Sequence, residues 1–231
     1  MLKYTMKNIF ILLITSNLVL LSANNTFTTT PHSASYIPKN MTVSEKKDRF
    51  KELLIPAIDK VYCALEKQYS EVKILLKTDE NSKKIEELML SYSAKNHEDL
   101  LHRIKPHAKS VALAQAAIES AWGTSRFFRV ANNVFGVWSS KKSEPRVAAN
   151  NKRGKRTIYI KKYENIADSV KDYYKILASA KVYKKFREEK MRSNNPYKLT
   201  KHLDKYSDIG AEYGKRLSKM IKFNKFYELD K

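Results

Sequence analysis

The chain has 231 residues, with 45 Lys+Arg against 24 Asp+Glu for a formal charge of +21, and it is 42% hydrophobic and 11% aromatic. That is enough apolar material for one or two domains with a real core, which excludes a disordered chain; 5 Gly and 6 Pro argue against glycine-rich nucleotide loops, collagen-like repeats and loop-rich sandwiches. A single cysteine, Cys63, excludes an intrachain disulfide and any multi-cysteine metal cluster; its place in a helical pattern predicts a buried apolar role.

Lys3 and Lys7 precede an apolar run from Ile9 to Leu21, and Ser22-Ala23 supplies small residues before a polar stretch. This is the layout of a secretory signal peptide over residues 1–23. An uncleaved anchor is the alternative, and it is the one route to a membrane read from the sequence. Removing residues 1–23 leaves 43 basic against 24 acidic side chains, +19. Such a charge on an exported chain, in the periplasm or elsewhere in the envelope, suits anionic envelope polymers better than nucleic acid. Residues 24–42, rich in Thr, Ser, Asn and Pro, are expected to be a flexible linker, with folded structure from Val43.

From Ser44, Phe50, Leu54, Ile58, Val61 and Leu65 recur at helical spacing, with a kink expected at Pro56. Ile85, Leu88, Met89 and Tyr92 mark a second helix, and Leu100, Leu101 and Ile104 a third, ended by Pro106. Residues 43–105 therefore read as a helical amino-terminal extension to a domain over 106–231. An Ala-rich helix is expected from His107 to Trp122, with Val111, Ala114, Ile118 and Ala121 on its apolar face and Gly123 closing it. Between Glu144 and Tyr163 the period changes to that of a hairpin, with a turn at Asn150–Gly154 and a second strand over Thr157–Ile160. Residues 141–162 carry nine Lys/Arg and one acid, a basic run that suits anionic wall groups or plain solvation. Helical spacing resumes behind Asn165 with Ile166, Val170, Tyr173, Tyr174 and Leu177, then over Val182–Arg192, Pro196–Leu203 and Ile209–Phe223. The class is α+β, predominantly helical, with a small β-hairpin lobe.

Glu119 is the one charge between Val111 and Thr124. On a helix it shares a face with Ala112, Gln115 and Trp122, which places an amide and an indole beside its carboxyl. Apolar neighbours and the negative end of the helix dipole both favour the protonated form, the state a general acid for glycosidic cleavage needs. An ion pair with Arg126 or Arg129 is the competing structural role. The five histidines lack metal-ligand spacing, and no cofactor is implied.

The string from Ala114 through Glu119, Trp122-Gly123 and Phe127, followed by Asn132-Asn133-Val134-Phe135-Gly136-Val137-Trp138, resembles the glucosaminidase family of peptidoglycan hydrolases, glycoside hydrolase family 73, and within it Bax-like proteins. Tyr163-Glu164-Asn165, Tyr206-Ser207 and Glu212-Tyr213 extend the likeness. The resemblance implies a lysozyme-like fold and hydrolysis of the β-1,4 bond after N-acetylglucosamine in peptidoglycan glycan strands; a basic monomer is the default expectation for the oligomeric state. It implies Glu119 as catalytic acid and Tyr206 as the tyrosine near the reacting sugar. Glu144, the one acid between Glu119 and Glu164, is the default second carboxylate, and an exposed loop charge is its other role. Water activation by Glu144, attack by the substrate's acetamido group, and hairpin closure that delivers Glu144 all remain open. Gln115, Trp122, Asn133, Phe135, Trp138 and Tyr163 are the candidate substrate-binding residues: rings for sugar faces, amides for acetamido groups. A lytic transglycosylase of the same fold and a non-catalytic wall-binding protein are the rival readings.

Overall fold

The computed structural model describes residues 34–38, 40–153 and 156–231. The expected signal segment and most of the expected linker lie outside the described residues, as does Gly154 of the expected turn. Helix α1 (Val43–Thr78) opens with a capping box in which the Thr42 hydroxyl accepts from the Glu45 N–H and the Glu45 carboxylate accepts from the Thr42 N–H. It runs unbroken through Pro56 for 36 residues, roughly 54 Å at 1.5 Å per residue. Phe50, Leu54, Ile58 and Val61 form its buried stripe. Cys63 is exposed, contrary to the sequence expectation, because it lies two residues beyond Val61, on the opposite face. Ahead of α1, Ala34 is buried in the core, and the Arg49 guanidinium donates to the Tyr36 carbonyl.

Helices α2 (Lys83–Tyr92) and α3 (His97–Ile104) fold back on α1. Ile85, Tyr92, Leu100 and Ile104 join Val72 and Ala178 in a small satellite core. The main core surrounds α4 (Lys109–Glu119), in which Ser110 through Ala117 are all buried. Phe50, Leu54, Ile58 and Val61 belong to that same core, so α1 packs directly on the body that holds α4. His107 begins this segment as a neutral ring, its pKa pushed down to about 3 by burial, stacked on Tyr174 at 4.4 Å.

A short helix, α5 (Arg126–Ala131), follows, then the antiparallel hairpin of β1 (Arg146–Arg153) and β2 (Arg156–Lys161). The first strand continues through Asn150–Arg153, where sequence reading expects a turn; the register is irregular between Ala148 and Lys152. Helices α6 (Ile166–Ser179), α7 (Lys184–Arg192), α8 (Pro196–Leu199) and α9 (Ala211–Phe223) complete the body, with single 3₁₀ turns at Lys181–Tyr183, Thr200–His202 and Phe226–Asp230. Gly214 on α9 is a close approach: a Cβ there would meet the Thr200 carbonyl oxygen at 2.4 Å. None of the described helices is long and apolar enough to cross a membrane.

Candidate active site

Glu119 is the last residue of α4, earlier than the Trp122 end expected from sequence. The Ser120 hydroxyl donates to the Ala116 carbonyl (2.6 Å) and accepts from the Gly123 N–H (2.9 Å), while the Trp122 N–H reaches Ala117 (2.9 Å). Three successive residues then adopt left-handed backbone, Ala121 at φ 50°, Trp122 at 58° and Gly123 at 74°. Two of them carry side chains, a strain of roughly 1–3 kcal/mol each. A Cβ at Gly123 would come within 3.2 Å of the Phe128 ring, so glycine serves both the backbone and the packing. This reversal removes Trp122 from the helix face it was expected to share with Glu119. Its half-buried indole packs edge-on against Phe50 (5.3 Å) and near Phe226 (6.1 Å), with the Lys47 ammonium 4.9 Å over the ring.

The Glu119 carboxyl is half-buried and accepts at Oε1 from the Tyr213 hydroxyl at 2.7 Å; neither Arg126 nor Arg129 supplies this bond. Burial raises its pKa above the ordinary 4.5, and the Tyr213 hydrogen bond opposes that rise. Tyr213 in turn accepts from Gln115 Nε2 at 3.1 Å, and Gln115 Oε1 accepts from the Tyr173 hydroxyl at 2.7 Å. Helices α4, α6 and α9 thus converge through a buried chain of polar groups ending on Glu119. Phe135 stacks on Tyr173 (4.0 Å, 9°) and Tyr206 on Tyr213 (5.4 Å, 10°). The Tyr206 phenol is raised well above its ordinary value, first by burial and then by the Glu119 charge.

Gln115, Asn133 and Phe135 are 0%, 1% and 4% exposed. They sit behind the surface rather than on it. The Asn133 amide is spent on the backbone: it donates to Val137 (2.9 Å) and Lys161 (2.8 Å) and accepts from the Val137 N–H (2.9 Å). Asn132 adds bonds to the carbonyls of Tyr163 and Glu164. The Asn-Asn pair therefore clamps the hairpin base to the helical body. Trp138, 56% exposed, bridges Ile160 at the base of that hairpin.

Glu144 lies just before β1 in different surroundings. It accepts from the Ser139 hydroxyl (2.8 Å) and the Lys141 N–H (3.2 Å), with Lys161 Nζ at 3.9 Å. The Ser139 bond, followed by the Lys141 bond, holds its pKa below the ordinary range. Lys161 also pairs with Asp172 (2.9 Å), which accepts from the half-buried Tyr163 hydroxyl (2.7 Å). Tyr213, the direct partner of Glu119, enters the sequence reading only as part of the family likeness and is given no role there. Its signal was a hydroxyl on the buried stripe Tyr213, Leu217 and Ile221 of α9.

A family model described as glucosaminidase, mannosyl-glycoprotein endo-beta-N-acetylglucosaminidase, matches residues 94–226. Among solved structures, the chain is similar to the catalytic domain of the autolysin Auto from Listeria monocytogenes, at 18% identity over 82% of this chain and 98% of that one, TM-score 0.45. It is similar to a peptidoglycan hydrolase from Sphingomonas sp. A1, at 17% identity over 62% and 84%, TM-score 0.43. It is also similar to a C-terminally truncated glycoside hydrolase domain of FlgJ from Salmonella typhimurium, at 18% identity over 60% and 96%, TM-score 0.41. No curated protein matches the chain.

Proposed function

The chain belongs to the glucosaminidase family, and from that membership we propose that it is an exported peptidoglycan hydrolase that cuts the β-1,4 bond after N-acetylglucosamine, with Glu119 as general acid. The observation that carries this reading is the Glu119 carboxyl itself, half-buried, raised in pKa by desolvation, and given one phenolic donor. A carboxyl in that state protonates the glycosidic oxygen as the bond to the anomeric carbon breaks, and the carboxylate left behind keeps the Tyr213 hydrogen bond. Tyr206, stacked on Tyr213 beside Glu119, is placed to meet the reacting sugar. The exposed Trp138 indole offers a flat apolar face to a further sugar ring.

Glu144 is our candidate for the second half of the reaction, as the base that activates water, because it is the one acid between Glu119 and Glu164 in the sequence. Attack by the substrate's acetamido group is the alternative and needs no second carboxylate. Export rests on Lys3, Lys7 and the Ile9–Leu21 run, and amino-terminal sequencing of the secreted protein tests it.

The decisive experiment is mass spectrometry of fragments released from purified peptidoglycan by residues 24–231, beside a folded Glu119→Gln control. Reducing-end N-acetylglucosamine from the wild type alone is the expected result. Anhydromuramic ends would make the protein a lytic transglycosylase. Wall binding with no release over a range of pH and salt would make it a binding protein.

A further inference from the structure

The hydrogen bonds behind Glu119 run in one direction. The carboxyl oxygen Oε1 accepts from Tyr213, and the Tyr213 oxygen is itself the acceptor of Gln115 Nε2, so the phenolic hydrogen has Glu119 as its outlet. The Gln115 amide is oriented by the same requirement, with its nitrogen toward Tyr213 and its oxygen accepting from Tyr173. Gln115, Tyr173 and Tyr213 are 0%, 1% and 2% exposed, which keeps water from competing for any of these bonds. The two phenols are fixed from the side: Phe135 stacks on Tyr173, His107 meets Tyr173 edge-on at 5.5 Å, and Tyr206 stacks on Tyr213.

We propose that Tyr213, backed by Gln115 and Tyr173, is a positioning residue that decides which oxygen of Glu119 carries the transferable proton: Oε1 is held as an acceptor, and Oε2 is left to bear the proton. The inference rests on the reading of Glu119 as the general acid. Its chemical consequence concerns turnover. Burial alone favours a carboxyl that keeps its proton, while a donor aligned on Oε1 stabilises the carboxylate formed when the proton leaves, and both are needed for an acid that gives up and regains a proton in each cycle. The phenol transfers no proton of its own, and no covalent step passes through it.

The test is a side-chain ¹³C NMR titration of the exported chain labelled at glutamate Cδ, with the Glu119 signal assigned by its absence in Glu119→Gln. Tyr213→Phe keeps the ring and its stacking on Tyr206 and removes only the donor. It is expected to move the Glu119 midpoint upward by about one pH unit, the size of a lost hydrogen bond to a charged group. Tyr173→Phe, which frees the Gln115 amide to turn, is expected to move it upward by less. On glycan strands, kcat of Tyr213→Phe falls about tenfold with KM unchanged, and the alkaline limb of its pH profile shifts upward with the midpoint. A folded Tyr213→Phe whose Glu119 titrates where the wild type does overturns the proposal. Should that variant fail to fold, an unmoved midpoint in Tyr173→Phe does the same. Because the titration needs no substrate, a protein that shows the shift but releases no fragments would sink the proposed function and leave only the hydrogen-bonded control of Glu119 by Tyr213, without its role in turnover.

Discussion

Glu119 and Glu144 carry the same functional group in opposite environments. Glu119 ends a helix buried along two full turns, faces one phenolic donor, and is pushed toward the protonated state by desolvation. Glu144 lies at the base of a hairpin, takes a hydroxyl and a backbone N–H within a short turn, stands near the Lys161 ammonium, and is held ionised. The difference teaches that burial, and not residue type, assigns the acid. A glycosidase acting through two carboxyls needs this separation of protonation states.

Removing the buried partner is expected to have the largest effect. Glu119→Gln should lower kcat on purified glycan by about 10²–10⁴-fold, the usual contribution of a positioned acid, with the fold intact by circular dichroism. Glu144→Gln should lower it by about 10²-fold and leave the Glu119 titration unmoved; a rate within a few-fold of wild type would assign the attack to the acetamido group. The buried body and the open hairpin base should differ as sharply. Phe50→Ala withdraws the fully buried ring under Trp122 and should cost about 3–5 kcal/mol in a denaturant titration, whereas Ser139→Ala at the open hairpin base should cost about 1 kcal/mol or less.

A smaller effect has a less obvious sign. Because the folded pKa of Glu119 is raised, its contribution to stability is fully present below the unfolded value of 4.5 and is lost as pH rises through the folded value. The inactive Glu119→Gln should therefore melt higher than wild type at pH 7. That gain should vanish below pH 4.5. A variant that melts lower at pH 7 would mean that the carboxylate is stabilised where it sits.

Much of this was legible in the sequence. The apolar stripe of α1, the Ala-rich segment around a lone glutamate and the two-residue period of Thr157–Ile160 each reflect a local periodicity, and each became the expected element. What escaped depends on the chain reversing or on distant elements meeting. Nothing local announces that Ala121 and Trp122 take left-handed backbone and turn the indole toward Phe50, 72 residues upstream. Asn133 reads from sequence as either an acetamido ligand or a turn residue, and its spending on the Val137 and Lys161 carbonyls appears only when the hairpin is folded back onto the helices. Tyr213 was hidden for the same reason. A hydroxyl on a buried stripe is unremarkable until the helix opposite supplies a carboxyl 94 residues away in sequence.

The pH dependence of kcat/KM on purified glycan strands, measured for the wild type and Tyr213→Phe side by side, tests the central claim most directly. The account predicts a wild-type alkaline limb above pH 4.5, set by Glu119, and a limb displaced further upward when the phenolic donor is removed. An alkaline limb at the ordinary glutamate value, or one that stays in place in the folded Tyr213→Phe variant, would contradict it.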